Sequence, residues 1–168
     1  GRSVAFEASA AGGIPIITNV SQCLSANQIE SLHAILNGTS NFILSKMDSE
    51  GGDYQSALSL AQQLGLAEAD PTMDVDGTDA AQKLAILAHL CFGARVHWSD
   101  IPRRGIDSID DRDLKFSKNL GYRIKLIAFA KLAGTGIQLM VSPMLVKAGK
   151  PLAEVQANFN AVSVVGDA

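Results

Sequence analysis

The segment YRIKLIAFAKLAGTGIQLMVSPMLV, which runs from Tyr122 to Val146, constrains the fold more than any other part of the sequence. It consists of two long runs that are rich in strand-forming residues. Gly134 and Gly136 lie between the runs and readily adopt the positive φ that tight hairpin turns need. The segment therefore predicts a long β-hairpin.

Helical patterns precede this hairpin. Apolar residues recur at spacings of three and four in SNFILSKMDSE and YQSALSLAQQLG, and AAQKLAILAHLCFG is so apolar that it predicts a buried helix. The predicted N-caps are Thr39 or Ser40 for the first helix and Asp53 for the second, and the third helix is predicted to begin at Thr78 or Asp79. The acidic residues between the second and third helices are predicted to form a loop.

Three shorter strands are predicted outside the hairpin, over residues 3–9, 28–36 and 161–165. The second is expected to end in a tight turn at Asn37-Gly38, and a short helix that begins at Pro151 is expected before the third. Because helices come in a block and long strands follow, we expect an α+β fold. Its sheet should be open, mixed and largely antiparallel, with helices covering one face.

Composition excludes several classes of protein. With 47% hydrophobic and 18% charged residues, residues 1–168 are expected to fold as one soluble domain, and no apolar run reaches the roughly 18 residues of a membrane span. The net charge of -3 and the lack of a basic cluster argue against binding to nucleic acid or to a membrane. Cys23 and Cys91 form no paired or metal-binding pattern, so we expect buried thiols in a reducing compartment, the cytoplasm.

The segment LGLAEADPTMDVDGTDAAQKLAIL, residues 64–87, concentrates acidic residues. Twelve positions contain five carboxylates, namely Glu68, Asp70, Asp74, Asp76 and Asp79. Because like charges repel, converging carboxylates usually imply a cation, which can be a metal ion, a lysine or the ammonium group of a ligand. A solvated acidic loop is the alternative. The calcium-loop pattern fails because Thr72 and Lys83 occupy positions where that loop has carboxylates.

Asp79 and Lys83 are the strongest candidates for chemistry in this segment. They are four residues apart, so a helix that begins at Thr78 places both on one face, within reach of each other. The helix is otherwise so apolar that charged side chains are seldom retained there unless they are paired. A partly buried lysine beside a carboxylate is suited to proton transfer, while a routine surface ion pair is the competing interpretation.

Eleven residues of this region resemble the signature of homoserine dehydrogenases. They keep one register over 23 positions and are Ala61, Gly65, Leu66, Ala67, Asp70, Pro71, Asp74, Val75, Gly77, Asp79 and Lys83. The segments FEASAAGGIPII, ILNGTSNFIL and DAAQKLAILAHLCFG resemble the same family, so the resemblance covers nearly all of the chain. It is specific to the substrate-binding and dimerising domain of that enzyme.

The resemblance implies an oxidoreductase activity and a set of residue roles. These enzymes interconvert L-homoserine and L-aspartate 4-semialdehyde with NAD or NADP, in the biosynthesis of threonine and methionine. Lys83 is similar to the lysine proposed to move the proton at the reacting oxygen, and Asp79 is similar to its hydrogen-bonding partner. Glu68 and Asp74 resemble acidic residues near the substrate ammonium and hydroxyl, and the Gly38-Thr39 turn resembles one that helps to hold the substrate carboxylate.

The resemblance also implies a cation, a dimer and a further region. Some members hold Na⁺ or K⁺ near the turn that corresponds to EASAAGGI, and the residues implied here are Glu7, Ala10, Gly12 and Ile14. The family associates as a homodimer through the sheet of this domain. Its Rossmann region, which binds the nicotinamide cofactor, is not among residues 1–168, so we expect this polypeptide alone to have little or no activity.

Two other functions remain compatible with the residues alone. A divalent-metal hydrolase built on the carboxylates would bind Mg²⁺ or Mn²⁺ tightly and would lose the metal in Asp74→Ala. A non-enzymatic module that dimerises through its sheet would leave catalysis by the complete protein insensitive to Lys83→Ala.

Overall fold

The structure, a computed structural model, describes residues 5–167. The helices in this part of the chain are α1 (Ile16–Thr18), α2 (Gly38–Glu50), α3 (Tyr54–Gln63), α4 (Thr72–Val75), α5 (Thr78–Phe92) and α6 (Asp111–Asn119). The strands are β1 (Ile29–Ile35), β2 (Tyr122–Ala133), β3 (Gly136–Lys147) and β4 (Ala161–Gly166). A π-helical segment (Asn19–Cys23) and two 3₁₀ segments (Trp98–Asp100 and Pro151–Glu154) complete the regular structure. None of the helices described is long and apolar enough to cross a membrane.

The four strands form one sheet in the order β3-β2-β1-β4, and each pairing between them is antiparallel. β2 and β3 form the predicted hairpin, which stays in register along the whole length of both strands. Gly134 provides a positive φ of +58° at the turn, whereas Gly136 simply begins β3. The predicted α+β class with an open, largely antiparallel sheet is confirmed, and a single parallel bridge joins Arg103 to Val141.

One face of the sheet carries the hydrophobic core. Leu32 of β1 lies opposite Ala130 of β2, and both are fully buried in a cluster that also contains Leu84 of α5. The neighbouring residues His33 and Phe129 point to the other face, where their rings lie 4.9 Å apart and remain partly exposed. Helix α5 therefore packs on the face of Leu32 and Ala130, and the opposite face is less covered at its centre.

The predicted strand at residues 3–9 is wrong for the residues that the structure describes. Residues 5–7 are irregular and residues 8–9 form a turn, while residues 3 and 4 lie outside the described part. The Glu7 carboxylate accepts hydrogen bonds from the Thr18 hydroxyl and from the backbone N–H groups of Ile17 and Thr18. Those bonds hold this segment against the start of α1 and keep the pKa of Glu7 below its ordinary value.

Two helix starts also differ from the predictions. Asn37 caps α2 instead of Thr39 or Ser40, because its side-chain oxygen accepts a hydrogen bond from the Ser40 N–H group at 2.8 Å. The chain therefore passes from β1 into α2 without the predicted tight turn. Helix α6 was not predicted, although Asp110 and Asp113 form a reciprocal capping box at its start.

The two cysteines have different environments, which corrects the expectation of two buried thiols. Cys23 is exposed, whereas Cys91 is partly buried on α5. Burial raises the pKa of the Cys91 thiol to about 11. The Cys91 thiol is therefore uncharged near neutral pH and a poor nucleophile.

Candidate functional site

An open cavity of about 640 Å³ lies between the start of α2 and the acidic segment. It is lined by Thr39, Gly65, Leu66, Ala67, Glu68, Asp70, Met73, Asp74 and Asp79. Four of these residues are carboxylates and none is a lysine or an arginine, so the cavity wall is negatively charged. A wall of this kind attracts a cation or the ammonium group of a ligand.

Lys83 and Asp79 form the predicted ion pair near the start of α5. Lys83 Nζ lies 2.7 Å from Asp79 Oδ2, and each side chain is 25% exposed. Lys83 Nζ also donates to the backbone carbonyl of Leu36, just after β1, at 3.1 Å. A lysine ammonium has three hydrogens, so one of them has no partner among the described residues. Asp79 lines the cavity, and Lys83 lies directly beside Asp79 with the same exposed fraction.

Asn37 joins two carboxylates of the site and was not predicted to belong to it. Its Nδ2 group donates to Asp74 Oδ1 at 2.7 Å and to Asp79 Oδ2 at 2.8 Å. Its side-chain oxygen accepts from the Ser40 N–H group, so both ends of the amide have partners and its orientation is fixed. The signal in the sequence was a favoured N-cap residue directly between a predicted strand and a predicted helix.

The first turn of α2 contacts the acidic segment directly. The Thr39 hydroxyl donates to the Leu66 carbonyl at 2.6 Å, and the Ser40 hydroxyl donates to the Asp74 carbonyl at 2.8 Å. Within the described residues, the backbone N–H groups of Gly38 and Thr39 have no hydrogen-bond partner. Free N–H groups at a helix N-terminus favour a bound anion such as a carboxylate.

The carboxylates of Asp70, Asp76 and Glu68 differ in their hydrogen-bond partners. Asp70 accepts hydrogen bonds from the Thr72 hydroxyl and N–H group, which lower the pKa of Asp70. Asp76 accepts from the Thr78 N–H group at 2.7 Å and from its hydroxyl at 2.9 Å. Both carboxylates therefore shape the backbone of the acidic segment. Glu68 is exposed at the cavity wall, and its carboxylate has no partner among residues 5–167.

Among the residues that the structure describes, only some of those predicted to bind a monovalent cation have oxygen atoms that are free of hydrogen bonds. Both Glu7 carboxylate oxygens already accept hydrogen bonds at the start of α1, and the Ile14 carbonyl accepts one from Ile16 at 2.7 Å. In the described region, the Ala10 and Gly12 carbonyls accept no hydrogen bond. A cation here would therefore depend on backbone carbonyls. Residues 5–167 contain no group of three His, Cys, Asp or Glu side chains arranged for a metal ion.

Known proteins match this chain over nearly its whole length. The family model described as homoserine dehydrogenase matches residues 15–168. The homoserine dehydrogenase of Bacillus subtilis is 49% identical over 168 residues, which are all of this chain and 39% of that protein. The crystal structure of a homoserine dehydrogenase from Thiobacillus denitrificans has a TM-score of 0.95 at 47% identity, covering 98% of this chain and 38% of the other.

A more distant relative has the same fold. A hyperthermophilic archaeal homoserine dehydrogenase mutant, solved in complex with NADPH, has a TM-score of 0.77 at 30% identity over 96% of this chain and 46% of its own. The chain thus spans less than half the length of each of these relatives. Because the family model, the sequence identities and the fold all agree, the chain belongs to the homoserine dehydrogenase family.

Proposed function

We propose that this chain is the substrate-binding and catalytic domain of an enzyme that interconverts L-homoserine and L-aspartate 4-semialdehyde with NAD or NADP. The observation that carries the proposal is the Lys83–Asp79 ion pair, which Asn37 connects to Asp74 at the wall of the acidic cavity. When a hydride leaves the carbon of an alcohol, a proton leaves its oxygen. The reaction therefore needs one acid/base group beside the oxygen.

Lys83 is the proposed acid/base group. Two of its ammonium hydrogens are bound by Asp79 and the Leu36 carbonyl, which leaves the third for a substrate oxygen. In aldehyde reduction Lys83 would donate a proton to the oxygen as the hydride reaches the carbon, and in homoserine oxidation it would accept that proton. Asp79 would orient the lysine and balance its charge.

The substrate's charged groups match the two charged parts of the cavity. Glu68 and Asp74 would bind the ammonium and hydroxyl groups, because the Glu68 carboxylate is exposed and Asp74 lines the same wall. The backbone N–H groups of Gly38 and Thr39 would bind the carboxylate at the N-terminus of α2. The Thr39 hydroxyl is already bound to Leu66, so its side chain would not take part.

The nicotinamide cofactor would be bound mainly by a region outside these 168 residues. When bound, it supplies or accepts the hydride. The archaeal relative that was solved with NADPH aligns with this chain over only 46% of its length, which supports a separate nucleotide-binding region. Residues 1–168 would then form a single catalytic and dimerising domain. This polypeptide alone is expected to show little or no homoserine oxidation.

We also propose a homodimer and a cation for the complete enzyme. The dimer would form through the less covered sheet face, where Phe129 is partly exposed and Met140 is 38% exposed. Na⁺ or K⁺ would be held by carbonyls of the turn near Ala10 and Gly12, with Glu7 bound to α1. The enzyme would act in the cytoplasm.

The test is steady-state oxidation of homoserine by the complete protein that contains this sequence, with NAD and with NADP. Lys83→Ala should lower kcat by about 10²–10⁴-fold and change the homoserine KM much less, because the lysine acts on the reacting oxygen. Lys46→Ala is the matched control, since Lys46 forms a similar i,i+4 ion pair on the surface of α2. An unaffected rate in Lys83→Ala would remove the acid/base role, and a wild type that is inactive with both coenzymes would refute the function.

A further inference from the structure

Lys125 of β2 is a buried charged residue that the proposed reaction does not use. It is 2% exposed, and its Nζ donates to Asn41 Oδ1 at 3.1 Å, Ser45 Oγ at 3.2 Å and the Val155 carbonyl at 2.5 Å. Three hydrogens thus meet three uncharged oxygens, and no carboxylate lies within ion-pair distance in the part of the chain described. An apolar side chain could fill such a position without the cost of burying a charge.

Asn41, in the first turns of α2, extends this network to a distant loop. Asn41 is fully buried, and its Nδ2 group faces three carbonyls of loop residues 155–159, of which Ala157 is nearest at 2.9 Å. Ala157 has a φ of +53°, unusual for a residue other than glycine, so the loop bends around the Asn41 amide. The loop also touches the start of α2, because a Cβ on Gly38 would lie 2.6 Å from the Asn158 carbonyl.

Lys125 and the loop carbonyls hold opposite ends of the Asn41 amide. An ammonium group can only donate, so Asn41 presents its oxygen to Lys125. The loop carbonyls can only accept, so they bind the NH₂ group of Asn41. The loop carbonyls would keep this direction without Lys125, so the contribution specific to Lys125 is to anchor the Asn41 oxygen and Ser45 of α2.

Asn41 is connected to the candidate site through one helical turn. It follows Asn37 by four residues on the same side of α2. Asn37 holds the Asp74 and Asp79 carboxylates, while Asn41 is fixed by Lys125 and the loop. A shift of the first turn of α2 would therefore move the Asn37 amide relative to both carboxylates.

We infer that Lys125 is a positioning residue: through Asn41 and the first turn of α2, it fixes the Asn37 amide that holds Asp74 and Asp79 beside Lys83. This inference rests on the proposed function, because the groups that Lys125 positions are the ones assigned to the reaction. Lys125 would thus contribute to the reaction without contacting the substrate.

A double-mutant cycle in the complete protein tests this inference. The variants are Lys125→Met, Asn37→Ser and the double variant, with kcat for homoserine oxidation as the readout. Serine keeps the helix cap but has no NH₂ group for the two carboxylates. Lys125→Met should lower kcat about tenfold in the wild-type background and less than twofold in the Asn37→Ser background, because its effect passes through Asn37.

Equal losses in both backgrounds would overturn the inference, since Lys125 would then act only on the fold as a whole. Leu114→Ala is the matched control, because it removes a buried side chain of α6 outside the network. It should lower Tm and leave kcat nearly unchanged. If Lys125→Met does not fold, Ser45→Ala, which removes one acceptor of the ammonium, replaces it in the same cycle under the same criteria.

A measurement that does not depend on activity separates this inference from the proposed function. The Ser40 N–H group donates to the Asn37 side chain, so its hydrogen exchange reports whether that amide is fixed. Exchange should be about tenfold faster in Lys125→Met than in wild type or Leu114→Ala. Unchanged exchange would overturn the positioning role even if Lys83→Ala abolishes turnover, and faster exchange would support it even if homoserine is not the substrate.

Discussion

The ammonium groups of Lys83 and Lys125 both donate hydrogen bonds near the junction of β1 and α2, but their surroundings differ. Lys83 is 25% exposed and lies 2.7 Å from a carboxylate. Lys125 is 2% exposed and is bound by uncharged oxygens. A lysine that exchanges protons needs access and a counter-charge, whereas one that fixes neighbouring groups needs burial and saturated hydrogen bonds. These environments fit the proposed roles, proton transfer for Lys83 and positioning for Lys125.

The largest effect is expected from Asp79→Ala. This change removes the carboxylate that pairs with Lys83, and Lys125 has no such partner among the described residues. We expect kcat of the complete enzyme to fall by about a hundredfold to a thousandfold, with a small change in homoserine KM. Glu50→Ala is the matched control, since it breaks an i,i+4 pair with Lys46 on the surface. Similar rates for Asp79→Ala and Glu50→Ala would show that the Lys83 pair is an ordinary surface ion pair.

The pH dependence of stability tests the other lysine. Burial lowers the pKa of Lys125 to about 8, although the carboxylates of Asp48 and Glu154 oppose this shift and the Arg123 guanidinium adds to it. In the unfolded chain this lysine titrates near pH 10.5. Between pH 8 and 10.5 the unfolded chain therefore binds a proton that the folded chain has lost, and the free energy of unfolding rises with pH.

The expected gain from Lys125 in this window is at most about 3 kcal/mol, and Lys125→Met should abolish it. Urea unfolding of wild type and variant at several pH values from 7 to 10.5 measures the difference. Because other groups titrate in both proteins, the difference between the two curves is the informative quantity. A difference that stays constant with pH would show that the folded and unfolded states bind this proton equally.

A smaller effect is expected from Gly105, whose backbone lies against Val75 and Asp76 of the acidic segment. A Cβ on Gly105 would lie 2.3 Å from the Val75 carbonyl and 2.7 Å from Asp76 Cα, so Gly105→Ala should displace the acidic segment. We expect a loss of about 1–3 kcal/mol in the free energy of unfolding and weaker homoserine binding. Gly136→Ala is the control, because its nearest neighbour would be 3.9 Å away. Equal stability of the two variants would contradict a rigid support for the acidic segment.

Features with local determinants could be predicted from the sequence. The hairpin has its own turn glycine, and α3 begins where Asp53 accepts a hydrogen bond from Ser56, as predicted. Asp79 and Lys83 were paired correctly because an α-helix brings residues four apart together. Over the described residues 5–9 the expected strand is wrong, because strand formation depends on a partner, which no local pattern specifies.

The remaining part of the site depends on contacts between distant residues. Asn37 reaches Asp74 and Asp79, which are 37 and 42 residues away along the chain. Lys125 and Lys131 look alike in the sequence, since both lie on β2 and are separated by an even number of residues. Lys125 is buried by α2 and the loop after the last 3₁₀ segment, while Lys131 is exposed. Only the packed structure distinguishes them.

The position of β1 in the sheet has a consequence for how the protein is made. β1 lies between β2 and β4, yet it leaves the ribosome long before the partners that begin at Tyr122 and Ala161. Pairings between such distant segments fold slowly, and until they form both edges of β1 can pair with other chains. The cavity lies beside the start of α2, just after this strand, and residues 155–159 contact that part of α2. The candidate site is therefore completed late, and a nascent chain of this protein has to be kept from aggregation until nearly all of this sequence has been translated.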